Sequence, residues 1–279
     1  MGRRGWAVGP NLRRVTGFIL DRGAGPGYVP RMRWLLLLAA LVPSTLAAAE
    51  TPPDPTTLPA PEKARVPRLA AAVTIDGRLD EPVWAQAARL GPFRRNDTGG
   101  AEREPTFVRI WYDDTALHLG WSCDDADVSA TLTARDANLW EEEVVEFFVS
   151  PEQPARYFEF QWNPVGGVFD ARVTNELDGR GLSRRIDVDR SFTAAGMTNA
   201  VRISRAPAKT GGQGGWKVEV KLPFASLGRT APRAGEIWRA NFYRYNRTRG
   251  EREELVSWSP TRLRSFHQPV RFGRLEFGP

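Results

Sequence analysis

"VVEFFVSPEQPARYFEFQWN" (Val144–Asn163) decides the architecture of this chain. Two runs of apolar and aromatic residues are broken by "PEQPA", a turn signal, and each run alternates in the period of a β-strand. Successive strand side chains point to opposite faces, so Phe158, Phe160 and Trp162 share one face while Tyr157, Glu159, Gln161 and Asn163 share the other. In the first run Glu146 falls on the face of Val144 and Phe148. A carboxylate in such company is costly unless it is paired, hydrogen-bonded or at the border of a groove. The segment therefore predicts two strands with one face for a core and, behind it, a polar row that is not simply turned to solvent.

The same period recurs along the chain. "TFVRIWYD" (Thr106–Asp113), "ALHLGWSC" (Ala116–Cys123), "GVFDARV" (Gly167–Val173), "WKVEVKLP" (Trp216–Pro223), "EIWRANFYRYN" (Glu236–Asn246) and "VRFGRLEF" (Val270–Phe277) all read as strands. "DDT", "NPVGG" and "GGQGG" separate them as turns. Helical patterns are short, at "EPVWAQAARL" (Glu81–Leu90) and "PFASLG" (Pro223–Gly228). So many strands in one domain predict an all-β fold, a jelly-roll-like sandwich of two sheets with short peripheral helices.

The rest of the chain divides by composition. Residues 1–31 read as an over-extended gene start, with Met32 the better initiator. Residues 32–49 read as a signal peptide: Arg31 and Arg33 precede "WLLLLAALV", and "STLAAAE" offers a small-residue cleavage site after Ala49. The apolar run is shorter than the roughly 20 residues that a bilayer span needs, so contact with a membrane is expected only if this segment is retained. Residues 50–63 form a proline-rich linker, and residues 64–279 are one domain's worth of chain. The expected product is an exported monomer, periplasmic or extracellular.

Charge excludes one partner class. The net charge is +6, but seven of the 39 basic residues and only one of the 33 acidic ones lie in residues 1–49, which leaves 32 of each in the remainder. A nucleic-acid reading has no basic surface to stand on. The single cysteine, Cys123, is in phase with Leu117, Leu119 and Trp121 and reads as a small core residue.

Trp140 stands directly before Glu141, Glu142 and Glu143 at the mouth of the strand that carries Glu146. A pyranose has an apolar C–H face and an edge of hydroxyls. Trp140 offers a flat ring for the first, and Glu146, Gln161 and Asn163 offer polar groups for the second. The other tryptophans in strand phase, Trp84, Trp111, Trp121, Trp162, Trp216 and Trp238, read as core. Glu143 and Glu146 lie three residues apart on a strand and so face opposite ways, which argues against a glycosidase pair. No catalytic residue is assigned. Asn96 in "NDT" and Asn246 in "NRT" match the glycosylation acceptor pattern.

Four segments, in order, carry a resemblance to a known family: "TIDGRLDEPVWAQA" (Thr74–Ala87), "WYDDTALHLGWSCDD" (Trp111–Asp125), "LWEEEVVEFFVSP" (Leu139–Pro151) and "WSPTRLRSFHQPVRFGRLEF" (Trp258–Phe277). Together they resemble carbohydrate-binding module family 9 and its relatives. The resemblance implies a sandwich in which two aromatic rings clamp a terminal sugar. By position the rings are Trp140 and Phe266, the latter where better-studied members carry tryptophan. Glu146 matches a hydrogen-bonding acid and Asn163 a polar strand residue. Gln161 stands where those members carry arginine, and His267 and Gln268 where they carry a basic–acidic pair. The implied role is carbohydrate binding in carbohydrate catabolism, with a poly- or oligosaccharide as partner; the alternative is a glycoside hydrolase or its accessory subunit. Structural calcium is implied too, at Asp113, Asp124, Asp125 and Asp127, alongside Asp114. A third reading, a haem-binding sandwich for electron transfer, would draw on Met197 with His118 or His267, without a C-x-x-C-H attachment sequence.

Overall fold

Alternate burial along the strands closes two sheets onto each other. The structure, a computed structural model, describes residues 53–204, 214–250 and 252–279, and these belong to a compact unit spanning Glu50–Pro279. The signal-like segment lies outside the described residues. The strands are β1 (Lys63–Val66), β2 (Ala88–Leu90), β3 (Arg94–Arg95), β4 (Thr106–Tyr112), β5 (Ala116–Asp124), β6 (Val144–Ser150), β7 (Arg156–Trp162), β8 (Val168–Leu177), β9 (Ser183–Asp189), β10 (Thr198–Ser204), β11 (Gly215–Pro223), β12 (Ile237–Asn246), β13 (Glu254–Ser257) and β14 (Gly273–Phe277). One sheet runs β1-β14-β12-β6-β7-β8-β9, with β13 and β3 added beside β12; the other runs β10-β11-β5-β4-β2. Pairings between these strands are antiparallel except β1 with β14.

The core lies between the inner faces. Val145, Phe147 and Val149 of β6, Phe160 and Trp162 of β7 and Phe242 of β12 meet Val108, Ile110, Leu119, Trp121 and Val218 of the smaller sheet. All six tryptophans assigned to the core are buried, as is Cys123. Burial pushes the Cys123 thiol's pKa upward, so it is an inert apolar contact rather than a reactive group.

One polar clasp joins the sheets. Arg244, fully buried on β12, donates from Nη2 to Glu143 Oε1 (2.6 Å) and Asp125 Oδ2 (2.9 Å), and from Nη1 to the Asp124 carbonyl (2.9 Å) and Thr106 Oγ1 (3.2 Å). Trp216 Nε1 donates to the same Glu143 oxygen at 3.2 Å. Burial and the adjacent Asp125 carboxyl push Glu143 upward, against the pull of the guanidinium.

Several expectations need correction. The two helical patterns are single 3-10 turns, Pro82–Ala85 and Phe224–Leu227. The first soon gives way to β2, because Ala88–Leu90 pairs with the open edge of β4. β9 and β10 went unread, since both are largely exposed and lack a two-faced pattern. The strand read from Val270 starts only at Gly273, after a 3-10 turn at Pro269–Arg271. Asn96 and Asn246 are buried, with their side-chain amides bonded to Thr261 and Leu263 and to Glu104 respectively, so neither can accept a glycan. The proline-rich stretch is held against the domain: Pro55 is buried and the Pro59 carbonyl accepts from Arg271 at 2.8 Å. No helix among the described residues is long and apolar enough to cross a membrane.

Removing one partner of a buried ion pair leaves the other charge stranded, at a cost of about 3–5 kcal/mol. Arg244→Leu is expected to lower the urea midpoint accordingly, and adding Glu143→Gln should recover part of the loss. Equal midpoints for wild type and Arg244→Leu would show that the clasp does not hold the sheets.

Candidate functional site

The outer face of the larger sheet carries a cleft of about 340 Å³. Pleating sets its floor. With Val145, Phe147 and Val149 turned inward, Glu146 must turn outward, and Glu159 and Gln161 follow by the same rule on β7. Glu146 pairs with Gln161 across the strands and Phe148 with Glu159, so the two carboxylates are diagonal neighbours on one face. Tyr245 of β12 and Phe169 of β8 extend the floor, and Ile186 and Val188 of β9 form one wall. Phe266 and His267 form the other wall, and Trp140 and Arg190 also line the cleft.

The three acids after Trp140 build its loop. Glu141 accepts from Asn138 Nδ2 (2.9 Å), Glu142 from the Thr131 (2.6 Å) and Leu132 (2.9 Å) amides, and Glu143 enters the Arg244 clasp. Leu139 is buried as the anchor, and Arg247 Nη2 donates to the Trp140 carbonyl at 2.7 Å. The Trp140 ring is left half-buried. It stands edge-on to Phe169 at 5.6 Å and 87°, with the Arg190 guanidinium 5.1 Å over it. Arg190 is steadied by Asn138 Oδ1, 3.2 Å from both terminal nitrogens.

Phe266 departs from the expected clamp. It is 3% exposed, stacked on Tyr243 at 4.1 Å and edge-on to Tyr245 at 5.0 Å. It is a packed wall, while Trp140 is the half-open ring. His267 is fixed by a 2.7 Å hydrogen bond between Nδ1 and the Tyr157 hydroxyl. Burial lowers its pKa to about 4, so the imidazole is neutral near pH 7. Gln268 is turned away and accepts from the Ser183 amide at 3.1 Å.

The floor is rich in acceptors. Glu146 is 2% exposed and has no hydrogen-bond partner among the described residues; burial, and then the Glu159 charge, push its pKa well above the usual range. Burial raises Glu159 to about 7, opposed by the 2.6 Å bond from Gln161 Nε2. Gln161 Oε1 is buried without a partner. The cleft thus holds unsatisfied acceptors beside a flat ring, an arrangement that suits a ligand with donors on its edge and an apolar face.

Asn163, expected beside Gln161, is not in the cleft. Its Nδ2 donates to the Leu132 carbonyl (2.7 Å) and its Oδ1 accepts from the Gly167 amide (2.7 Å), which closes the turn between β7 and β8. A Cβ on Gly167 would stand 2.5 Å from that carbonyl, so the turn needs glycine there. Three of the four aspartates expected to hold calcium are engaged by protein groups. Asp113 accepts from the Thr115 and Ala116 amides and from His118, Asp125 binds Arg244 and the Asp127 amide, and Asp127 accepts from the Arg249 amide. Among the described residues no acidic, histidine or cysteine cluster could hold a metal. The haem ligands are also held apart: Met197 packs on the central core, His118 stacks on Trp111 at 3.8 Å and His267 on Tyr157 belongs to the cleft.

Glu159 and Tyr245 were legible as alternation partners of Gln161 and Tyr243, although neither was assigned a role. Arg190 and the β9 wall left no sequence signal strong enough to place them.

The raised pKa of Glu146 has a consequence for stability. Its contribution is intact below the ordinary carboxylate value of 4.5 and is lost as pH rises above it toward the folded value. Glu146→Gln removes that loss. The variant is expected to melt at least about 3 °C above wild type at pH 8, with the difference shrinking toward pH 4. A difference independent of pH would contradict a buried, partnerless acid at this position.

Comparison with known proteins locates this geometry. The sequence model of carbohydrate-binding family 9 matches residues 104–277. A candidate carbohydrate-binding protein from Bacteroides uniformis shares the fold with a TM-score of 0.61 and 20% identity, over 78% of this chain and 100% of that one. A family 9 module from Caldicellulosiruptor kristjanssonii in complex with cellotriose gives 0.54 and 14%, over 78% and 94%. The glucose complex of such a module gives 0.50 and 14%, over 78% and 97%. No curated protein matches the sequence.

Proposed function

The chain belongs to carbohydrate-binding family 9, and we propose that its outer-face cleft holds the end of a sugar chain, with Trp140 as the stacking ring and Glu146 and Gln161 as hydroxyl partners. One observation carries this reading: a half-open tryptophan and a floor of buried, partnerless acceptors share one cleft. The Caldicellulosiruptor modules hold cellotriose and glucose, which sets neutral gluco-configured sugars as the first ligands to try. The leader-like segment supports a place outside the cytoplasm, where such a module would serve carbohydrate breakdown.

Binding fits better than hydrolysis. Glycosidase carboxyls flank the scissile bond from two sides of a cleft. Here Glu146 and Glu159 are diagonal neighbours on one sheet face.

The two aromatic residues should behave differently. Trp140→Ala removes a partly open platform and is expected to weaken sugar binding about thirtyfold, or about 2 kcal/mol, with little change in melting temperature. Phe266→Ala empties a packed position and should cost about 3–5 kcal/mol of folding free energy. Calorimetric titration and thermal melts of both variants check this. A collapsed melt for Trp140→Ala, or undiminished binding by it, would remove the platform from the account.

A further inference from the structure

We infer that the cleft selects a sugar bearing a free amine, whose ammonium group is taken by the Glu146 carboxylate, the Glu159 carboxylate and the Gln161 side-chain oxygen. This rests on the reading of the cleft as a sugar site and names the class of sugar.

The argument is a census of donors and acceptors. Neither oxygen of Glu146 has a partner among the described residues, and Gln161 Oε1 is buried without one. Of the donors beside these acceptors, Gln161 Nε2 is bonded to Glu159, and Arg190 is held by Asn138 and the Trp140 ring. The floor thus gathers two carboxyl groups and one amide oxygen in one place. A hydroxyl brings one donor and two lone pairs that need donors in return, whereas an ammonium brings three donors and no acceptor.

Charge points the same way. Two carboxylates share the floor, and among the described residues Arg190 is the only Lys or Arg side chain lining the cleft. The other titratable neighbours are Tyr157, Tyr243 and Tyr245, whose pKa values burial raises, and His267, which burial keeps neutral. Among the described residues, therefore, no second cation offsets the second carboxylate. Burial and the Glu159 charge push Glu146 toward its protonated form, and an arriving ammonium opposes that push, so binding an amine favours proton release. Charge-assisted hydrogen bonds contribute more than neutral ones when water is excluded.

The test is calorimetric titration of the whole protein at pH 7 with glucosamine, glucose and N-acetylglucosamine and with their β-linked dimers, in two buffers of different ionisation enthalpy. Glucosamine or its dimer is expected to bind at least about tenfold more tightly than the glucose counterpart. The acetylated sugar, which has lost the charge, should gain nothing. Proton release should accompany only the amine. Glu146→Gln and Glu159→Gln, each confirmed as folded by its melt, should erase the preference. If glucose and glucosamine bind alike, the amine inference is overturned while the sugar-binding reading stands. An amine preference that survives both substitutions would also overturn it, because the ammonium would then lie elsewhere. If no sugar binds at all, both readings fall together.

Discussion

Alternation along β6 is the constraint on which both the core and the cleft depend. Val145, Phe147 and Val149 turn inward to meet the second sheet, and that leaves Glu146 and Phe148 no choice but the outer face. The pairing register carries the consequence to β7, where Phe160 and Trp162 face inward and Glu159 and Gln161 face out. A one-residue slip would send both acids into the core and the phenylalanines into the cleft. Core packing therefore fixes the position of Glu146, Glu159 and Gln161, which sit on strands rather than on loops.

The outer face of such a sheet would ordinarily be wet. Here the Trp140 loop and the segment from Phe266 to Phe272 cover it, and a second aromatic cluster of Phe148, Tyr157, Tyr243, Phe266 and Phe272 packs there. Burying two carboxylates under that cover is unfavourable, as the raised pKa values of Glu146 and Glu159 record. The domain tolerates the cost because its main core is extensive and because Arg244 satisfies two further buried acids, Glu143 and Asp125, between the sheets. Glu143 and Glu146 show the division: three residues apart, one secures the fold and the other is left without a partner in the cleft.

The sandwich was legible because two-faced strands leave period two in the sequence, and β4 to β8, β11 and β12 all do. Edge strands do not. β9 is exposed along most of its length, yet Ile186 and Val188 make a wall of the cleft, so one side of the site was invisible. Trp140, Glu146, Gln161 and His267 line one cleft. Asn163, read as the end of its strand, lies one residue beyond β7 and is consumed by a turn, because a side-chain amide next to a tight glycine turn finds backbone partners first. Phe266 reached the cleft as packing rather than as a free ring, since Tyr243 and Tyr245 already occupy its faces and edge. The aspartates and asparagines with metal and glycan signatures are short polar residues that order loops, and local sequence does not separate those roles.

A crystal structure of the protein with a bound gluco-configured or amino-sugar oligomer would test the central claim most directly. The account expects the terminal ring to lie with its apolar face against Trp140 and its polar edge within hydrogen-bonding distance of Glu146 and Gln161, the Arg190 guanidinium having shifted to admit it. A sugar ordered elsewhere, such as in the groove lined by Arg156, Arg172 and Arg229, with the Trp140 cleft unchanged, would contradict it.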